Sequence, residues 1–219
     1  MQKTIYNFLR NSISKTTFFW KYRHYLQPEV WSSYKNDQDN LRRSFYSDFM
    51  KSKSLNSVFE YGCASGPNFF SINKKIDKLF FFGYDISKRA IDTISYDKLH
   101  NNHFFTNRLS LVIFKNFLKL NKLEYFELAI FDRVLYMIEE KRFRKLLNEY
   151  STYFKYVVID DFHSEIPIWD KEKYIYSKNY KKILNDFNFE VIGVKDSQIP
   201  SSTAKKYAKR LIFKNKNYD

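Results

Sequence analysis

The chain predicts an α/β fold: a sheet of seven mostly parallel strands covered by helices, an antiparallel pair of strands at its C-terminal edge, and a helical cap over residues 1–55. Three observations carry this. Short apolar runs are nearly continuous, as in strands buried on both faces. Stretches with helical spacing separate them. The last two runs follow each other without a helix of comparable length between them, which suits an antiparallel edge pair.

The elements follow in order. Phe18, Phe19, Trp20, Tyr22, Tyr25 and Trp31 are too aromatic for a loose tail and predict helices packed over the sheet's ligand end. Ser57–Glu60 is a short strand running into a glycine turn. Pro67–Ile76 suits a helix, because proline at a first helical turn gives up no needed donor. Leu79–Tyr84 is the second strand, and Ser87 can cap a helix over Lys88–Leu99. The third strand is expected at Leu109–Phe114 and the fourth at Glu127–Phe131. Glu139–Phe154 places Phe143, Leu146, Leu147 and Tyr150 on one helical face. Lys155–Asp160 is the fifth strand, Tyr174–Phe187 a helix, and Phe189–Lys195 with Ala208–Lys214 the closing pair.

Composition excludes several classes. No apolar run reaches the length of about 18 residues that a membrane-spanning helix needs. The opening residues break their apolar positions with Lys3, Asn7 and Arg10, so no signal-peptide core is expected. A single cysteine, Cys63, makes no internal disulfide and fits a reducing cytoplasm. The formal charge is +14, from 38 basic and 24 acidic residues, and the excess lies toward the two ends. No block of five or more like charges marks a dedicated binding tail, so the excess reads first as composition.

The informative stretch is Glu60-Tyr61-Gly62-Cys63-Ala64-Ser65-Gly66. Glycines between a strand and a helix let a ligand approach the backbone, and the helix start offers unpaired amides. A dinucleotide fingerprint would need glycine at Ala64 and Pro67, and a phosphate-binding loop would need Gly-Lys-Ser/Thr, which the chain lacks. Asp85 ends the second strand, where a carboxylate in a doubly wound sheet can accept both hydroxyls of a ribose; it can also cap the following helix.

Together VFEYGCASG, FFFGYDIS and FELAIFDRVLYMI resemble the first three motifs of class I S-adenosylmethionine-dependent methyltransferases, over roughly residues 55–215. Ala64 departs from the glycine many members carry. The resemblance implies a Rossmann-like domain over 56–219 and S-adenosylmethionine as cofactor. It implies that Glu60 faces the methionine amino end, that Gly62, Ala64 and Gly66 form the cofactor turn, and that Asp85 holds the ribose. Ile86 would pack on the adenine. Asn116 and Phe117 would offer the adenine a polar contact and an apolar wall. Phe131, Asp132 and Val134 would border the methionine and the acceptor. The wider arrangement resembles small-molecule enzymes, especially those of bacterial surface-polysaccharide synthesis, with FWKYRHYLQPEVW as the narrower likeness.

A hydroxyl acceptor benefits from a base, and Asp161 and His163 are the candidates. No metal is expected: His24, His100 and His103 lack ligand spacing. A catechol-type magnesium site would match Asp132 and Asp161 but meets Phe162 at its third position. The small-molecule or glycan-related acceptor stands against two alternatives. One is an RNA acceptor, suggested by Arg42, Arg43 and Lys205–Arg210; the other is a non-catalytic binding protein.

Overall fold

Runs such as FELAIFD and FKYVVIDDF are buried along nearly their whole length, as strands covered on both faces must be. The protein was studied as a computed structural model, which describes residues 21, 41–94, 102–106, 109–170, 175–197 and 207–218. Most of the expected cap, including Phe18, Phe19, Trp20, Tyr22, Tyr25 and Trp31, lies outside them, as do His24, His100 and Lys205.

The elements in chain order are α1 (Leu41–Ser52), β1 (Ser57–Tyr61), α2 (Pro67–Asn73), β2 (Phe80–Tyr84), α3 (Lys88–Asp92) and β3 (Asn102–Phe105). Then come α4 (Leu111–Leu120), β4 (Phe126–Asp132), a 3-10 turn (Leu135–Met137), α5 (Glu140–Tyr150), a second 3-10 turn (Ser151–Tyr153) and β5 (Phe154–Phe162). A small hairpin of β6 (Trp169–Asp170) and β7 (Ile175–Tyr176) precedes α6 (Tyr180–Asn185), β8 (Phe189–Asp196) and β9 (Ala208–Asn215). Seven strands form one sheet in the order β3-β2-β1-β4-β5-β9-β8. β1, β4 and β5 run parallel, as do β2 and β3, while β9 is antiparallel to both β5 and β8. The mostly parallel sheet with its antiparallel closing pair is the architecture the sequence predicts.

The chain divides into two compact units: Met1–Asn56 with Gly62–Ser110, and Ser57–Tyr61 with Leu111–Asp219. In the first, Phe69 meets Phe81 and Phe104 with ring centroids 5.2 Å apart in each case. Gly83 admits this packing, because a Cβ there would lie 2.8 Å from Phe104 Cδ1 and 3.0 Å from Cys63 Sγ. In the second, Phe59 stacks on Phe154 at 5.2 Å and Phe114 meets Phe126 edge-on at 5.1 Å. Each such pair adds about 0.5–1.5 kcal/mol beyond the area it buries.

Several expectations are corrected. Leu109–Phe114 is not the third strand. Its apolar residues enter α4, where Phe114, Phe117 and Leu118 line one buried face at helical spacing. The third strand is Asn102–Phe105, a half-exposed edge strand without a continuous apolar run. The helix expected over Glu139–Phe154 stops at Tyr150 and tightens into a 3-10 turn before β5. Of that over Tyr174–Phe187, the described residues place Tyr180–Asn185 in a helix, where the Asn179 side chain accepts from Lys182 N. The helix after Pro67 ends at Asn73. Ser87 does cap α3, whose helical residues end at Asp92.

Candidate functional site

The glycine turn lies in the first unit. Gly62 and Cys63 both donate to Tyr84 O, at 2.7 and 3.0 Å, which folds the turn back onto the end of β2. Gly62, Ala64 and Gly66 take φ of 79°, 51° and 77°, the left-handed region that glycine enters freely and alanine resists. Ala64 thus adopts the conformation for which glycine is the natural residue, and the turn keeps its course despite the methyl. Gly66 leads into α2 with Pro67 in its first turn. Cys63 is packed with Ile91, Ile94, Phe70 and Phe104, the environment of a small core residue.

Asp85 is fastened to this turn. Its Oδ2 accepts from Ala64 N at 2.9 Å and its Oδ1 from Ser87 N at 2.8 Å. Burial raises its pKa from 3.8 to about 6, and the two amides hold it back from going further. A carboxylate offers about four lone-pair directions, so two remain. Two further polar atoms face the same problem of burial: Ser65 Oγ in the turn and Thr106 Oγ1 just after β3 have no hydrogen-bond partner among the described residues. Such groups are uncommon in folded proteins and call for a ligand or a water. Ile86 is half-buried beside Asp85. A carboxylate with spare acceptor capacity and two hydroxyls without a partner among the described residues fit a ligand rich in hydroxyl groups.

Asn116 and Phe117 belong to the second unit. Both lie on α4 rather than after the third strand. Asn116 is exposed, and Phe117 is buried in the second unit, stacked on Phe126 at 5.6 Å. The position after the third strand belongs to Thr106 instead.

The ends of β4 and β5, in the second unit, carry a buried charged cluster. Glu60, on β1, is 1% exposed. Phe131 is fully buried between Phe59 and Phe143, at 6.5 and 5.5 Å, a core position for its ring. Asp132 and Val134 are partly exposed. Asp160 is fully buried and accepts from Arg210 Nε at 2.9 Å and from the Ser197 hydroxyl, with Arg133 Nε at 3.6 Å. The Arg133 guanidinium lies 5.6 Å from the centroid of the Phe162 ring.

Asp161 is also fully buried, and its oxygens take three backbone amides: Leu135 N at 2.7 Å, Tyr136 N at 3.1 Å and Phe162 N at 2.7 Å. Burial raises its pKa to about 6 against the pull of the Phe162 amide, Lys178, Arg133 and the Tyr136 amide. With three main-chain amides on its carboxylate, Asp161 braces the turn after β4. His163 is 7% exposed. Its Nδ1 lies 3.0 Å from Lys178 O and 3.3 Å from Tyr180 N, and its Nε2 lies 3.4 Å from Glu165 Oε1. Burial lowers its pKa below the ordinary value, so the ring is neutral at pH 7. Lys178, which sequence reasoning passed over, is fully buried and donates to Leu135 O at 2.5 Å.

The comparisons bear on the fold. The magnesium protoporphyrin IX methyltransferase of Synechocystis PCC 6803, crystallised with S-adenosylhomocysteine, is 15% identical and superposes with a TM-score of 0.58, covering 97% of this chain and 99% of that one. The N-methyltransferase NodS of Bradyrhizobium japonicum WM9, also with S-adenosylhomocysteine, is 15% identical with a TM-score of 0.56, covering 85% and 98%. The 1,6-didemethyltoxoflavin-N1-methyltransferase of Burkholderia thailandensis is 12% identical with a TM-score of 0.58, covering 90% and 89%. No protein-family model and no curated protein matches the chain. At these identities the likeness is one of fold, and it spans nearly the whole of each structure. Among the described residues no helix is long and apolar enough to cross a membrane.

Proposed function

We propose that this chain is a methyltransferase that binds S-adenosylmethionine and methylates a small-molecule acceptor in the cytoplasm, with a surface-glycan-related compound as the finer reading. The observation that carries the proposal is the joint between Asp85 and the glycine turn, in which one carboxylate braces Ala64 N at 2.9 Å and retains capacity for a ribose. The neighbouring structures lend support, since several were crystallised with S-adenosylmethionine or its product.

When bound, the sulfonium cofactor supplies a methyl carbon already activated for displacement. The chain's part is to hold and align. Asp85 would accept the ribose hydroxyls, Gly62 and Gly66 would admit the amino-acid chain close to the backbone, and Ile86 would pack on the adenine. Ser65 and Thr106 offer their hydroxyls. Glu60 would serve the methionine amino group, and Asp132 and Val134 would border the acceptor. Orientation alone can contribute about 7–11 kcal/mol in favourable cases. An amine acceptor needs no base; for a hydroxyl acceptor His163 is the candidate base.

The RNA alternative is weakened by its own residues. Arg43 is 3% exposed and donates to Asn68 Oδ1 at 2.7 Å, Arg210 is paired with Asp160, and Lys209 with Asp196. Isothermal titration with S-adenosylhomocysteine tests the reading. The wild type binds, and absence of binding heat would sink it. A screen of nucleotide sugars, small amines and RNA with radiolabelled cofactor then assigns the acceptor, and salt-sensitive labelling of RNA alone would favour the alternative.

A further inference from the structure

Lysine is almost never fully buried unless something compensates its charge. Lys178 is 0% exposed, and its Nζ donates to Leu135 O at 2.5 Å and lies over the face of Tyr176, 4.5 Å from the ring centroid. The other half of the same peptide unit, Tyr136 N–H, donates to Asp161 Oδ2 at 3.1 Å, and Leu135 N donates to that oxygen at 2.7 Å. The Leu135–Tyr136 peptide therefore lies with its carbonyl toward a cation and its amide toward an anion, the orientation its dipole favours.

The grip has a fixed base. Lys178 N donates to Phe162 O at 3.3 Å, and Lys178 O accepts from Ser164 N at 3.2 Å. The gripped turn needs holding, because it follows Arg133, whose φ of 55° reverses the chain in a region that L-residues resist. Leu135 is fully buried, and Tyr136 meets Phe162 edge-on at 5.3 Å.

We propose that Asp161 and Lys178 are positioning residues: they grip the Leu135–Tyr136 peptide from both sides and fix the turn after β4, so that the acceptor meets a wall of constant shape. This rests on the methyl-transfer reading above. The groups that face the pair are Arg133 at the end of β4, Glu140 at the start of α5, His163 beyond β5, Tyr176 on β7 and Tyr180 on α6. Burial raises Asp161 to about 6 and lowers Lys178 to about 8, so both carry charge only between those values.

The test is amide exchange across residues 133–138 from pH 5 to 9, corrected for the intrinsic rate, in the wild type, Lys178→Met, Asp161→Asn and Lys178→Arg. In the wild type, protection at Leu135 and Tyr136 is greatest between pH about 6 and about 8. Lys178→Met lowers it about tenfold and flattens the alkaline limb, and Lys178→Arg restores part of it. Titration with S-adenosylhomocysteine stays within about twofold, while KM for the acceptor found by the screen rises more than kcat falls. Unchanged protection and an unchanged pH profile in Lys178→Met would overturn the grip. If that variant does not fold, a wild-type profile without a maximum does the same. A wild type that fails to bind S-adenosylhomocysteine overturns the methyl-transfer reading instead, a different result from bound product with unchanged protection.

Discussion

The glycine turn with Asp85 and the charged ends of β4 and β5 use the same residue type to opposite ends. Asp85 takes two amides and keeps capacity, beside two hydroxyls with no partner among the described residues. Asp160 takes the Arg210 guanidinium and the Ser197 hydroxyl with Arg133 close by, and Asp161 takes three amides. One carboxylate keeps acceptor capacity in hand; the other two are consumed by the fold. Position at a strand end marks an acid as polar and buried, but only its remaining hydrogen-bond capacity separates a binding group from a brace.

The largest effect tests the consumed side. Asp160→Asn leaves the Arg210 guanidinium, 6% exposed, without its carboxylate. Breaking a buried pair from one side costs about 3–5 kcal/mol, which urea unfolding will read as a lower midpoint at unchanged slope. Where the variant still folds, its affinity for S-adenosylhomocysteine stays near that of the wild type. A loss of binding larger than the loss of stability would show that this acid also serves the ligand and would erase the contrast.

The next effect tests the provisioned side. An ionised Asp85 accepts two hydroxyls, whereas a protonated one spends an oxygen as a donor. With its pKa raised to about 6, affinity for S-adenosylhomocysteine falls as pH drops from 7 toward 5. Asp85→Asn flattens that dependence and weakens binding about tenfold, or about 1.4 kcal/mol. Stability moves the other way. A carboxyl raised above its ordinary pKa of about 4 stabilises the fold below that value and loses the contribution as pH rises through 6. Asp85 therefore contributes a gain in stability on mild acidification, and Asp85→Asn removes that share while the share of Asp161, raised to the same range, remains.

Much of this was readable in the chain, and the misses have physical causes. Strands β1, β2, β4 and β5 announce themselves because burial on both faces demands continuous apolar runs. β3 does not, because an edge strand is half-solvated and its Asn102 is spent accepting from Phe81 N at 2.8 Å. The run Leu109–Phe114 misleads, since six apolar-rich residues fit a buried strand and a buried helix face alike. Gly62, Gly66 and Asp85 were legible because backbone freedom and a strand-end acid are local properties. Asp161 was legible as an acid but not as a brace, because its partners Leu135 and Tyr136 lie about 25 positions earlier in the chain. Lys178 sits in a Lys- and Tyr-rich stretch with nothing local to mark it as buried.

The smallest effect sharpens the comparison through the backbone. Ala64 and Arg133 hold nearly the same left-handed φ, 51° and 55°. That conformation costs an L-residue about 1–2 kcal/mol, and glycine gives back roughly 0.5–1 kcal/mol in entropy. Ala64→Gly should therefore stabilise the protein by up to about 1 kcal/mol, because the methyl it removes makes none of the turn's hydrogen bonds. Arg133→Gly relieves the same strain but forfeits the ion pair to Asp160 and the contact over Phe162. Its expected change is a net loss, since partly buried charge contacts outweigh the relief. Thermal melts of the two variants side by side decide the point. Opposite signs would confirm that strain at the turn is retained for shape and strain after β4 for the side chain it presents; two gains would mean that the charged cluster contributes less than its geometry implies.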